Sequence, residues 1–151
     1  MQVFRHFPQK NAQPCALAIG NFDGLHLGHQ ALLAKLVETA KAQKIQSAVM
    51  TFEPHPREFF TPDKAPTRLA SLREKLERFA DAGVDVVYLC RFNQRFASLT
   101  SEAFINDILI KSLNAKTVLV GEDFRFGAGR RGGVVDIAHA GLNLISLPQV
   151  N

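Results

Sequence analysis

Two histidines, an aspartate and three glycines share one short stretch of the chain, residues 19–29. The stretch reads Ile-Gly-Asn-Phe-Asp-Gly-Leu-His-Leu-Gly-His, and its histidines, His26 and His29, lie three residues apart. Glycines let a backbone approach a ligand closely, and a helix start presents unpaired N–H groups and the positive end of the helix dipole. If both histidines lie in a first helical turn, they project to one side. This pattern is typical of a phosphate-binding turn.

Other roles for the same side chains remain open. The His-x-x-His spacing also fits half of a metal site, but no cysteine or carboxylate set in the sequence completes one, so zinc is not expected. A structural role, in capping or packing at the turn, is the alternative for His26 and His29. Asp23 stands before Gly24, a common Asx-turn arrangement, and Asn21 has the same alternative.

A strand and a helix must position this stretch. Residues 15–19 form an apolar run that indicates a buried strand. Behind the stretch, Leu32, Leu33 and Leu36 recur at helical spacing within a helix predicted over residues 27–44. The stretch is therefore a strand-to-helix turn.

The alternation of strand and helix continues along the chain. Residues 1–14 are a polar lead-in. Later in the chain, Ser71 with Glu74 forms a capping box, Gly83 ends that helix, and Asn114 is the predicted C-cap of the next helix. Such alternation indicates an α/β fold with a doubly wound, mostly parallel five-stranded sheet. The further predicted strands and helices, in chain order, cover residues 47–52, 71–83, 84–90, 100–114, 117–120, 134–140 and 142–147.

Three segments rich in functional residue types each follow a predicted strand. They are the turn at 20–29, a loop at 53–67 with four prolines, and the segment 121–127. The carboxyl ends of parallel strands lie at one edge of a sheet, and ligands bind there where the strand order reverses. We therefore expect the three segments to converge on one site.

Composition narrows the classes of function. The chain has 151 residues, 46% of them hydrophobic and 21% charged, which is typical of one globular domain with a core of its own. A net charge of +4 without a long Lys/Arg run suits phosphate-rich small ligands and not nucleic acid. No stretch has transmembrane length, and residues 1–11 lack the apolar region of a signal peptide, so a cytoplasmic protein is expected. Cys15 and Cys90 lie in apolar runs, as buried thiols do.

The longer pattern of residues 20–29, Gly-x-Phe-Asp-Gly-x-His-x-Gly-His, resembles the extended nucleotidylyltransferase signature. The segments Thr-Phe-Glu-Pro-His-Pro at 51–56, Arg-Leu at 68–69 and Val-Gly-Glu-Asp-Phe-Arg-Phe-Gly at 120–127 follow in the expected order. Together they resemble the amino-terminal module of bacterial bifunctional FAD synthetases, the riboflavin kinase/FMN adenylyltransferase enzymes. The resemblance covers nearly the whole chain and implies a Rossmann-like nucleotidylyltransferase fold.

The resemblance also implies an activity and the residues that carry it. The module would join ATP and FMN, with Mg²⁺, to give FAD and pyrophosphate. His26 and His29 would be the catalytic side chains, acting on the triphosphate, and Asp123 would hold the metal. The implied nucleotide-binding residues are Gly20, Asn21, Phe22, Asp23, Gly24 and Gly28. The implied flavin- or substrate-binding residues are Phe52, His55, Pro56, Arg68, Asp123, Phe124, Arg125 and Phe126.

Several of these assignments have a structural alternative. The proline-bracketed His55 also fits a plain crossover loop, and Arg68 would meet either a phosphate or a carboxylate of that loop. Phe124 and Phe126 alternate, so one is expected to pack inward and the other to face the cleft, with core packing favoured over flavin stacking. Arg125, with the arginines at 130–131, could reach phosphates or belong to a solvated turn.

Two rival functions stay open, and so does the question of how much of the full-length protein this chain represents. The rivals are nucleotidylyl transfer to another phosphorylated acceptor, and a nucleotide- or flavin-binding fragment without turnover. The family carries a later Ile-Ser-Ser-Thr-x-x-Arg segment and a riboflavin kinase barrel, whereas this chain ends at Asn151 before either. We therefore expect residues 1–151 to be one FMN adenylyltransferase domain, truncated at its carboxyl end, with a kinase domain following it in the full-length protein.

Overall fold

A computed structural model of the chain describes residues 1–8, 13–22, 27–53 and 71–148. The strands are β1 Gln2–Phe4, β2 Cys15–Ile19, β3 Gln46–Glu53, β4 Val86–Arg91, β5 Ala115–Gly121, β6 Arg125–Phe126, β7 Gly132–Gly133 and β8 Asn143–Leu147. The α-helices are α1 Leu27–Gln43, α2 Leu72–Ala82, α3 Gln94–Ala97, α4 Ser101–Ala103 and α5 Val134–His139. A π-helical segment, Phe104–Ser112, continues α4, and a 3₁₀ turn covers Ala128–Arg130.

In the described part of the chain the main sheet is parallel, and its six strands have the order β1-β4-β3-β2-β5-β8. The predicted α/β fold with a doubly wound sheet is confirmed, but the prediction of five strands was wrong by one. The additional strand is β1, within the supposed polar lead-in, where Val3 pairs with Val87 of β4. β1 has one neighbour and its three residues are exposed, so it lacks the apolar pattern that marks the interior strands.

The strand order reverses between β2 and β5. From β2 the sheet grows through β3 and β4 in one direction, whereas β5 and β8 lie on the other side of β2. The carboxyl ends of β2 and β5 therefore flank the crevice where ligands bind in sheets of this type. The segments that follow these two strands are the turn at 20–22 and the loop at 122–127.

Helices cover both faces of the sheet, as double winding requires. On one face Leu36 of α1 and Phe79 of α2 are buried against the sheet, and on the other face Phe104 and Leu109 of the π-helical segment are. The helix boundaries follow the predicted signals, because Ser71 Oγ accepts a hydrogen bond from Glu74 N at 3.1 Å. Gly83 has the left-handed φ of 94° that ends α2.

The helix predicted over residues 100–114 is present with a different winding. Thr100 is its N-cap, accepting from Ala103 N at 3.0 Å, and Asn114 has the left-handed φ of 52° expected after a helix end. From Phe104 to Ser112 the chain is π-helical, and Leu113 N donates to Ile108 O at 2.9 Å. The predicted inward residues Phe104 and Ile108 are buried all the same.

The two thiols allow a first prediction. Cys15 in β2 and Cys90 in β4 are buried, and burial raises the pKa of each thiol to about 12. Since the thiolate is the reactive form, native protein at pH 8 should react with a thiol reagent such as DTNB far more slowly than protein unfolded in urea. Release of the coloured thiolate measures this. Native labelling at the unfolded rate would contradict the buried placement.

The same shifts fix the direction of a pH dependence. A thiol whose folded pKa is raised stabilises the folded state fully below its unfolded pKa of about 9, and loses that contribution as the pH rises through the folded pKa. Stability relative to a C15A/C90A double variant should therefore decline above pH 9. Urea unfolding at pH 7 and pH 10 measures the difference.

Candidate functional site

The turn after β2 is tied to the neighbouring strand β3. Gly20 N donates to Met50 O at 3.1 Å, and Thr51 Oγ1 donates to Asn21 O at 3.0 Å. Thr51 is fully buried, so water does not compete for its hydroxyl. These two hydrogen bonds hold the first residues of the turn at the carboxyl edge of the sheet.

Phe22 occupies an unusual backbone conformation in this turn. Its φ is 51°, in the left-handed region that bulky side chains rarely adopt. The ring is only 3% exposed and contacts Phe79 of α2 edge to face, with the ring centroids 5.2 Å apart. A Cβ at Gly20 would lie 3.2 Å from Phe22 Cε2, so this packing favours glycine at position 20.

His29 also contacts the ring of Phe22. Their ring centroids are 5.3 Å apart with an angle of 49° between the planes. His29 and Gly28 lie in the first turn of α1, which begins at the carboxyl edge of the sheet because a crossover helix runs antiparallel to its strands. His29 therefore belongs to the helix turn that has unpaired N–H groups and the positive end of the helix dipole.

The side-chain oxygen of Asn21 is a buried hydrogen-bond acceptor. No residue in the described part of the chain donates a hydrogen bond to this Oδ1 atom. Leaving a buried acceptor unsatisfied costs about 1–3 kcal/mol. Because this atom lies at the strand-order reversal, a donor group on a bound ligand would remove the cost. Of the residues implied around it, Asp23, Gly24 and His26 lie outside the described residues.

The loop after β5 forms the second wall of the crevice. Glu122 N donates to Leu147 O at 2.9 Å and Phe124 N to Gly121 O at 3.1 Å, which closes a tight turn. Asp123 at the tip of this turn is exposed. A carboxylate is thus displayed at the carboxyl end of β5, opposite the turn that follows β2.

The two phenylalanines of this loop differ in exposure. Phe126 is buried and packs on Phe104 at 5.0 Å, whereas Phe124 is half-buried and stacks on Phe126 at 5.7 Å. Phe126 is thus the inward member of the pair. The glycine-rich segment that follows pairs with it, because β6 and β7 form a two-stranded antiparallel ribbon that the sequence did not indicate.

Arg125 holds its own loop closed. Its Nε and Nη2 donate to Arg130 O at 3.1 and 3.0 Å, and Nη2 also donates to Arg131 O at 3.4 Å. Arg130 and Arg131 themselves are exposed. The guanidinium of Arg125 is therefore part of the loop structure, while the side chains of Arg130 and Arg131 lie on its surface.

Phe52, at the end of β3, lies in an aromatic cluster and not on an open surface. The ring is 7% exposed and contacts Phe92 at 6.0 Å and Phe96 at 5.7 Å. Of the residues implied with it, His55, Pro56 and Arg68 lie outside the described residues. The crevice walls that the structure describes are thus the turn after β2, the start of α1 and the loop after β5.

Sequence reasoning missed two residues of this region. Thr51 lies inside the Thr-Phe-Glu-Pro-His-Pro segment, which was the only signal for it. Lys75 on α2 is 5% exposed and shares the helix face of Phe79, one turn nearer the helix start. A lysine in a capped amphipathic helix gives no sign of such burial, since lysines usually lie on the solvated face.

Neither a metal-ligand cluster nor a membrane-spanning helix is found among the described residues. Within those ranges, no three His, Cys, Asp or Glu side chains are grouped as ligands of one metal ion. None of the helices in that part of the chain is long and apolar enough to span a membrane.

Comparison with known proteins identifies relatives over almost the whole chain. The sequence profile of a family described as FAD synthetase matches residues 8–150. A protein of Escherichia coli strain K12 named bifunctional riboflavin kinase/FMN adenylyltransferase is 51% identical over 134 residues, covering 89% of this chain and 43% of the relative. A protein of the same name from Pseudomonas fluorescens is 45% identical over 145 residues, covering 95% of this chain and 46% of the relative. The chain thus spans less than half the length of these relatives.

Solved structures support the same fold. A crystal structure from Streptococcus pneumoniae, described as a macrolide-efflux protein, has a TM-score of 0.83 and 26% identity, and covers all of this chain and 52% of that one. Pantothenate synthetase from Thermus thermophilus has a TM-score of 0.53 and 14% identity, covering 100% of this chain and 63% of that one. At that identity the second likeness concerns the fold alone.

Proposed function

The chain belongs to the FAD synthetase family, and from this membership we propose that it transfers AMP from ATP to FMN, giving FAD and pyrophosphate. The observation that carries the proposal is the family match over residues 8–150, which includes the turn after β2 and the loop after β5. These are the segments that flank the strand-order reversal. A nucleotidyltransferase of FAD biosynthesis fits a crevice with a helix start on one wall and a carboxylate on the other.

The proposed reaction is a single displacement at phosphorus. An oxygen of the FMN phosphate attacks the α-phosphorus of ATP in line, the bond from that phosphorus to the bridging oxygen breaks, and pyrophosphate leaves with the bond electrons. Negative charge grows on the phosphoryl oxygens, so the protein contributes positioning and electrostatic stabilisation, with no covalent intermediate.

The described residues divide this work. His29 donates a hydrogen bond or positive charge to the triphosphate, assisted by the N–H groups at the start of α1, and Gly28 allows the phosphates to approach. Asn21 Oδ1 accepts from a donor on the nucleotide. Phe22 contributes from beneath through its packing, because its ring is buried. His26, Asp23 and Gly24 belong to the same proposed nucleotide site.

The flavin side of the site is proposed from the other segments. Phe124 is half-buried at the crevice loop and would be the flavin contact, and the Phe126 ring stacks on it at 5.7 Å. Phe52 stabilises the adjoining wall through its aromatic neighbours. Arg125 holds the loop. His55, Pro56 and Arg68 remain assigned to this side by family resemblance.

Mg²⁺ is proposed to enter with ATP. This ion is usually held by one or two carboxylates, substrate phosphates and water, so a site with one protein carboxylate suits it. Asp123 fits, because it is exposed at the carboxyl end of β5. When bound, the ion would neutralise phosphate charge, and Asp123 would hold it either directly or through water.

The complete protein is proposed to contain more than this domain. The matched relatives are named for two activities, and this chain spans 43% of the Escherichia coli protein. We propose that residues 1–151 are the FMN adenylyltransferase domain and that a riboflavin kinase domain follows them. The proposed location is the cytoplasm, where ATP and FMN are available.

A panel of phosphorylated acceptors tests the proposed substrate. With ATP and Mg²⁺, the full-length protein should form an adenylylated product and pyrophosphate from FMN, and none from nicotinamide mononucleotide or phosphopantetheine. Product identity by mass spectrometry is the readout. Product from either alternative acceptor, with none from FMN, would contradict the flavin assignment. Binding of FMN without any product would favour a binding role instead.

A further inference from the structure

We propose that Phe22 and Thr51 are positioning residues for His29, together setting where its imidazole stands relative to the bound phosphates. The inference rests on the proposed function, in which His29 acts on the triphosphate. The position of His29 against the phosphates then depends on two buried side chains, neither of which needs to contact a ligand.

Phe22 contacts His29 and restricts its side chain. The first turn of a helix leaves a side chain free to choose among rotamers unless a neighbour restricts it. Here the Phe22 ring lies 5.3 Å from the imidazole, and it is itself fixed against Phe79 of α2 at 5.2 Å. The imidazole therefore packs against a surface that is anchored in the core.

The backbone conformation of Phe22 determines where its ring lies. A φ of 51° at a phenylalanine is strained and persists only where its surroundings enforce it. The enforcing contacts are the hydrogen bonds on the two preceding residues, Thr51 Oγ1 to Asn21 O at 3.0 Å and Gly20 N to Met50 O at 3.1 Å. Thr51 thus acts on the imidazole through the turn.

The rate of the proposed reaction is sensitive to the position of the groups near the reacting atoms. In-line transfer depends on geometry, and an error of about 1 Å in a group near the reacting atoms can cost about 10²-fold in rate. Without the Thr51 hydroxyl, the turn could relax out of the left-handed conformation and carry the Phe22 ring with it. Binding of ATP and FMN shares many contacts and should suffer less than turnover.

The chain supplies a matched control for Thr51 on the same strand. Ser47 is also buried in β3, and its Oγ accepts from Asp85 N at 2.9 Å and lies 3.2 Å from Asp85 Oδ2. This pair lies at the amino end of β3, the opposite edge of the sheet from the turn. Loss of its hydroxyl removes a buried hydrogen bond without touching the proposed site.

The test compares T51V, T51S, F22L and S47A in the full-length protein. T51V and F22L should lower kcat for FAD formation by about tenfold or more, with KM for FMN changed by less than about threefold. T51S, which keeps the hydroxyl, should recover most of the rate. S47A should lose stability in urea and keep kcat within about twofold of the parent.

A second readout does not depend on activity. The NMR resonances of the His29 ring, assigned with an H29Q variant, should shift in both T51V and F22L and stay in place in S47A. A shift in T51V is informative because Thr51 acts from β3, through the turn. If the parent protein made no FAD, the proposed function would fail, and the NMR comparison would still decide the positioning.

Two results would overturn the inference. One is a T51V variant with the kcat and the His29 resonances of the parent protein. The other is an S47A variant that loses kcat as severely as T51V, since general destabilisation would then explain both.

Discussion

Replacing His29 with alanine is expected to lower kcat for FAD formation by about 10²–10³, with the affinity for FMN nearly unchanged. The side chain stands in the first turn of α1 beside the strand-order reversal, where the proposed triphosphate lies. The hydrogen bond proposed for this imidazole would strengthen as charge grows on the phosphoryl oxygens, so the transition state would lose more than the ground state. Steady-state FAD formation with calorimetric FMN binding measures both quantities.

His139 is the control for this variant. It is an exposed histidine at the end of α5, outside the segments that flank the crevice, so H139A should keep the parent rate. An unchanged kcat in H29A would return His29 to a purely structural role. A lower kcat together with an equal loss of folding stability would favour the same interpretation.

Replacing Gly127 with alanine is expected to reduce the free energy of unfolding by about 2–4 kcal/mol. Gly127 has a φ of 79°, and a Cβ there would lie 2.8 Å from Ser101 N and 2.9 Å from Ser101 Cα. Both are backbone atoms, so no rotamer change relieves the clash. The loop of residues 122–127 would have to move away from α4. Urea denaturation followed by circular dichroism measures the loss.

Gly141 is a control that shares the positive φ of Gly127. Its φ is 87°, and apart from its chain neighbours no atom of the described residues lies within 4 Å of its added Cβ. G141A should therefore cost only the backbone strain, about 1–2 kcal/mol. Equal losses in the two variants would show that the contact with Ser101 adds nothing, contrary to the described packing.

The interior of this fold was readable from the sequence, whereas its margins were not. The capping box at Ser71 and the left-handed Gly83 fix α2 through local interactions, which a sequence displays directly. β1 and the ribbon of β6 and β7 are short and depend on partners distant in sequence. The π-helical winding after Ala103 keeps the apolar face of an ordinary helix, so the residue pattern could not reveal it.

The site shows the same division. The motif placed Asn21 and His29 at the crevice from their position after β2 and at the start of α1. It did not reveal that Phe22 would be left-handed and buried against Phe79, because that conformation depends on a contact between distant parts of the chain. It also did not reveal the hydroxyl of Thr51 beneath the turn. Such supporting contacts are tertiary, and one sequence does not display them.

The central claim, adenylyl transfer to FMN, is tested most directly by following the α-phosphate of ATP. The full-length protein is incubated with Mg²⁺, FMN and ATP labelled at the α-phosphorus, and the labelled products are separated. We predict that the label appears in FAD, with one pyrophosphate released for each FAD formed. Label remaining in ATP, or appearing only in AMP or ADP while FMN is unchanged, would contradict the account.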